Sequence, residues 1–154
     1  MSSPKPDLSN EWDKTKLRNW MSNAKRLGRD DVYRDAFRQL CRVEGQNIDD
    51  PLEAEFAIVM RALEEALTEE SGKTKRLNRT RQKLERVGVR QTLADLALKL
   101  QPSTGFLKLV EFEMAADMSA EALILKYADE FESVVVAAAR KRLEDFGIRI
   151  RSTD

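Results

Sequence analysis

The sequence predicts an all-α protein: a compact bundle of seven to eight helices, with room for one short strand at its C-terminal end. Three observations carry this. Apolar residues recur at helical spacing in nearly every segment. Capping and stop residues punctuate those segments at short intervals. No pair of alternating runs offers two strands to each other. At 154 residues the chain suits one domain. Residues 1–9 read as a flexible tail, and residues 10–150 as a single helical domain with halves at 10–72 and 73–150.

Taken in order, the first helix is expected from Ser9 or Asn10, both capping residues, to Leu27. Leu17, Trp20, Met21, Ala24 and Leu27 form its apolar stripe, and Gly28 ends it. Trp20 belongs to that stripe, whereas Trp12 at the helix start suits a contact surface. Asp30 or Asp31 caps a second helix that carries Tyr33, Ala36, Phe37, Leu40 and Cys41 on one face and closes at Gly45. The third has the clearest start in the chain. In Asp50-Pro51-Leu52-Glu53 the aspartate accepts from a free N–H, proline fills the first turn and glutamate reaches back. Phe56, Val59, Met60, Leu63 and Leu67 continue it to Ser71-Gly72.

A fourth helix is expected from about Thr74 to Val87, stopped by Gly88. Thr92-Leu93-Ala94-Asp95 reads as a capping box for a short apolar helix ending at Gln101-Pro102. Residues 105–114 (GFLKLVEFEM) fit either helix or strand, and helix is preferred because no strand partner lies nearby. Ser119 caps a segment through Phe131, and Ser133 starts a last helix with Val135, Ala139, Leu143 and Phe146 on one face. The alternating Gly147-Ile-Arg-Ile-Arg151 is the one candidate strand.

Composition removes several chemistries. The chain has no histidine, which excludes Ser-His and Cys-His couples and imidazole metal ligands. A single cysteine, Cys41, excludes an internal disulfide and multi-cysteine metal sites. No cofactor is implied. The polar, proline-bearing start carries no signal-peptide pattern, no apolar run approaches a membrane span, and a cytoplasmic setting is the default. Ser71-Gly72-Lys73-Thr74 copies the end of a phosphate-binding loop, but Leu67 stands where that motif needs glycine and no strand precedes it.

Charge placement is the informative feature. The 27 basic and 27 acidic residues cancel, yet they are segregated. Residues 49–72 hold eight acidic groups against Arg61 alone, for −7. Residues 73–90 hold Lys73, Lys75, Arg76, Arg79, Arg81, Lys83, Arg86 and Arg90 against Glu85, for +7. Residues 111–132 return to −6. On a helix at 100° per residue, Lys75, Arg79, Lys83, Arg86 and Arg90 would fall within a band of roughly 80°, opposite Leu77, Leu84 and Val87. Arginine forks onto phosphate oxygens, and Asn78, Thr80 and Gln82 add hydrogen-bonding capacity.

The first expectation is therefore a non-enzymatic protein that binds nucleic acid, DNA or RNA, through Lys75, Arg76, Arg79, Arg81, Lys83, Arg86 and Arg90. The alternative is a protein-interaction or homo-oligomerisation module in which opposed acidic and basic faces meet. A third is a Mg²⁺-carboxylate enzyme at the acidic helix. An antiparallel pairing of the −7 and +7 helices would instead spend the basic groups on surface ion pairs worth about 0–1 kcal/mol each. A standard helix-turn-helix is not expected, because the second helix of that pair, with Leu93, Ala94, Leu96, Ala97, Leu98 and Leu100, is too apolar to face a groove.

Overall fold

A computed structural model describes residues 5–149. Among these, eight α-helices and one 3-10 turn follow one another with no strand. They are α1 (Lys14–Arg26), α2 (Asp30–Val43), α3 (Pro51–Ser71), α4 (Asn78–Leu98), α5 (Thr104–Glu111), α6 (Ala115–Met118), α7 (Ala120–Lys126), the 3-10 turn Ala128–Glu130, and α8 (Ser133–Asp145). The all-α bundle is thus as the periodicity requires. Residues 147–149 form no strand, and the rest of that candidate segment lies outside the described residues, as do residues 1–4 of the tail. No helix among the described residues is long and apolar enough to cross a membrane.

Local chemistry explains most boundaries. Asp50 accepts from the Leu52 and Glu53 N–H groups at 2.9 and 3.2 Å, Pro51 occupies the first turn, and Gly72 ends α3 in a left-handed conformation. Ser103 caps α5 by accepting from the Phe106 N–H at 3.0 Å. Ser119 accepts from the Ala122 N–H and donates to the Ala115 carbonyl, joining α6 to α7. At α1 the expectation needs correcting: the cap is Asp13, which accepts from the Lys16 N–H at 3.1 Å, so the helix begins several residues after Ser9. Residues 5–9 are in part packed, since Leu8 is buried in the core and Lys5 pairs with Asp35 at 2.8 Å.

The core gathers Leu17, Phe37, Leu40, Phe56, Met60, Leu93, Leu109, Met114, Ile124 and Leu143 around α3, which touches α2, α4, α5, α6 and α7. Close approach of α5 to α3 depends on Gly105, where an added Cβ would stand 2.9 Å from the Leu63 Cδ2 atom. Trp20 is not a core residue: it is 39% exposed, and Leu27, expected on the same stripe, is 64% exposed. The buried stripe of α1 is narrower, consisting of Leu17, Met21 and Ala24.

One feature positions the basic segment. Gly88 sits inside α4 at φ 87°, ψ 174°, and divides it into two helical pieces at a kink. The second piece buries Val89, Thr92, Leu93 and Ala97, mainly against α7 and α8. The first piece buries no side chain fully, and meets the core through the partly buried Leu77 and Leu84. Thr92 is not the start of a new helix; its hydroxyl donates to the Gly88 carbonyl at 2.8 Å.

An added Cβ at Gly88 meets nothing within 4 Å, so any cost of Gly88→Ala comes from the backbone alone. This region of φ/ψ is essentially reserved for glycine, and a strained residue costs about 1–3 kcal/mol. Thermal unfolding of Gly88→Ala is expected to begin several degrees lower, at roughly 2–4 °C per kcal/mol. An unchanged Tm would show that the kink relaxes freely.

Candidate nucleic-acid interface

The −7 and +7 segments run antiparallel but are loosely packed: Glu53, Ala57 and Met60 of α3 share a groove with Arg81, Leu84 and Val89 of α4. α3 and α4 touch at few points, and the ion pair between them is made by one carboxylate. Glu64 is 1% exposed, accepts from both the Arg81 Nε (2.8 Å) and Nη2 (2.5 Å), and also accepts from the Leu77 N–H at 2.9 Å. Leu77 is the residue preceding α4 and has no side-chain cap of its own, so Glu64 supplies from α3 the acceptor that the sequence lacks locally. Next to it, Thr68 Oγ1 donates to the Glu64 carbonyl and accepts from the Lys75 N–H, at 2.8 and 3.0 Å. Ser71 Oγ and Lys73 are similarly joined. Residues 73–77 are therefore a non-helical connection pinned to the end of α3, and Lys75 and Arg76 lie before the helix rather than on it.

Three other carboxylates of α3, Glu55, Glu65 and Glu69, are held by cations from elsewhere. Glu65 binds Arg18 of α1 at 2.7 Å and lies 3.7 Å from Arg61. Glu69 binds Lys25 of α1 at 2.8 Å. Glu55 receives both Lys126 and the Tyr127 hydroxyl, and the Tyr127 phenol is pushed up to about 12 by that carboxylate. Arg61 also binds Glu44, which Lys14 reaches as well. Among the described residues no cluster of three or more Cys, Asp or Glu side chains is arranged to hold a metal ion.

Three of the seven predicted basic residues are paired. Arg81 is held by Glu64, Lys83 by Asp95 across the kink, and Arg90 by Glu130. The hydrogen bond from Lys83, with a further one from Gln91, holds the Asp95 carboxyl below its ordinary value. The kink at Gly88 is the reason Arg90 leaves the stripe that continuous helix geometry would give.

The remaining four, Lys75, Arg76, Arg79 and Arg86, are exposed, and so is Lys73; none of the five has an ion-pair partner among the described residues. On the first piece of α4 the exposed face runs through Asn78, Gln82, Arg86 and Arg79, with Glu85 at its edge. Val87, expected opposite the cations among apolar neighbours, is exposed too. The sequence contained the cations but not their division into paired and unpaired sets. The only local signal was the absence of acidic residues other than Glu85 within the segment.

Fold and surface together define an all-α protein with a fixed arginine-rich segment on its exterior. Comparison with protein-family models, with curated proteins and with solved structures finds no significant match.

Burial alone would raise the Glu64 carboxyl, but the Arg81 and Leu77 hydrogen bonds outweigh it and hold it below its ordinary value; Glu44 and Glu69 are lowered against burial in the same way, by Lys14 with Arg61 and by Lys25. Stability from such groups is fully present above their unfolded pKa, about 4.5, and is lost as pH falls through the folded value. Glu64→Ala leaves the Leu77 N–H and Arg81 without this acceptor, and is expected to cost about 1–3 kcal/mol in urea unfolding at pH 7. The gap to wild type should close as pH drops below that range. A gap independent of pH would contradict the charge pairing.

Proposed function

We propose that this protein binds nucleic acid, chiefly through its backbone phosphates, using the connection at 73–77 and the first piece of α4. The supporting observation is that Lys73, Lys75, Arg76, Arg79 and Arg86 are exposed and unpaired while Glu55, Glu65 and Glu69 of the neighbouring acidic helix are paired with cations from other elements. A surface of unpaired arginine and lysine attracts a polyanion by releasing its condensed counterions. Arg81, Lys83 and Arg90 are occupied by carboxylates, so they contribute to the scaffold rather than to affinity.

A second reading, a protein-contact or self-association surface, has separate support on α1. Trp20 on α1 and Leu27, the residue that follows its last turn, are both exposed, and aromatic residues are enriched at interface cores. Sedimentation velocity separates the two. Self-association that Trp20→Ser abolishes supports the second reading, and a monomer at all concentrations contradicts it.

For nucleic-acid binding, a mobility-shift titration at low salt with mixed DNA and RNA is expected to show complex formation. The double variant Arg79→Glu, Arg86→Glu should lose it while keeping the wild-type circular dichroism spectrum, since neither side chain has an ion pair to break. No complex with the wild type, or undiminished binding by the variant, would overturn the reading.

A further inference from the structure

The face of α4 that carries two of the unpaired arginines also carries Asn78 and Gln82, both exposed. At 100° per residue, Asn78, Gln82, Arg86 and Arg79 fall in that order across a band of about 100°. The straight piece from residue 78 to Gly88 is about 15 Å long. It meets the core only along its opposite side, through Leu77 and Leu84. Side chains of this kind match the groove edges of a duplex: arginine forks onto guanine O6 and N7, and asparagine or glutamine onto adenine N6 and N7. Glu85, at the margin, has the acceptor that a cytosine amino group needs.

Two further observations select the form of nucleic acid. No aromatic residue occurs between Phe56 and Phe106, so neither the basic connection nor α4 offers a platform on which unpaired bases would stack. A helix fits the B-form major groove, about 12 Å wide, whereas the A-form RNA groove is too deep and narrow for side chains to read. The connection before the helix is pinned to α3 through the Lys75 N–H and Lys73, which fixes its cations relative to the helix.

We propose that the α4 face formed by Asn78, Arg79, Gln82 and Arg86 binds B-form duplex DNA by lying in its major groove, with Lys73, Lys75 and Arg76 on the flanking phosphates. This rests on the reading of residues 73–90 as a nucleic-acid surface and adds the duplex form and the groove. The first piece of α4 enters the groove, and the second piece, turned away at Gly88, stays in the core. The pair of helical pieces therefore differs from a standard helix-turn-helix, in which the second helix reads the bases.

Fluorescence anisotropy with a labelled mixed-sequence DNA duplex of about 20 bp, each of its single strands, and the RNA duplex of the same sequence tests this with the full chain. The DNA duplex is expected to bind at least about tenfold tighter than the other three. Titrating the protein into duplex loaded with methyl green, a major-groove ligand, should displace the dye, while duplex saturated with the minor-groove ligand netropsin should still bind. The Asn78→Ala, Gln82→Ala variant should weaken duplex binding about tenfold with no change in the salt dependence, because groove contacts release no counterions. Equal or tighter binding of single strands or RNA duplex would overturn the duplex assignment, retention of methyl green would overturn the groove assignment, and either would leave phosphate binding standing. Failure to bind any of the four would overturn both.

Discussion

The arrangement of charge in this protein depends on one buried carboxylate. Glu64 lies in α3, almost wholly removed from water, where an unpaired carboxylate would be strongly destabilising. It is satisfied by a two-point contact from Arg81 and by the backbone N–H of Leu77, with Arg61 about 4.0 Å away. Breaking such a pair by removing one partner costs more than the pair itself contributes, so the geometry is held stiffly. Through it the acidic helix fixes where α4 begins, while the two helices touch at few other points.

Pairing of three further α3 carboxylates from other directions adds to the effect. Arg18 and Lys25 of α1, Lys126 of α7 and the helix's own Arg61 meet its carboxylates. These contacts span 44 to 71 positions of sequence where the partner is on another helix. Excess positive charge is thereby left in the segment from Lys73 to Arg86, although the chain as a whole has none. Net charge is consequently a poor guide to this molecule's electrostatics, and the pairing map is a good one.

Much of the architecture was legible because it rests on local chemistry. α3 begins and ends where Asp50-Pro51 and Gly72 place it, and residues 104–111 are helical, as the absence of a strand partner implies. The start of α1 was misplaced because Ser9, Asn10 and Asp13 are all competent caps, and sequence alone does not rank them. The spacing of Trp20 fits the apolar stripe, but the stripe that packs against α2 is only wide enough for Leu17, Met21 and Ala24. At the candidate site, the cations themselves were visible and their fates were not. Arg81, Lys83 and Arg90 differ from Arg79 and Arg86 only through Glu64, Asp95 and Glu130, and the first and last of these come from other helical elements of the fold.

The central claim is that paired and unpaired cations in one short segment have different roles. Its most direct test is the slope of log Kobs against log salt for a DNA duplex, measured on single neutralising variants. Arg79→Gln and Arg86→Gln are each predicted to reduce the slope by about one, the loss of one phosphate contact. Lys83→Gln and Arg90→Gln should leave it unchanged, because those side chains are already bound to carboxylates. Equal reductions at all four positions would contradict the account.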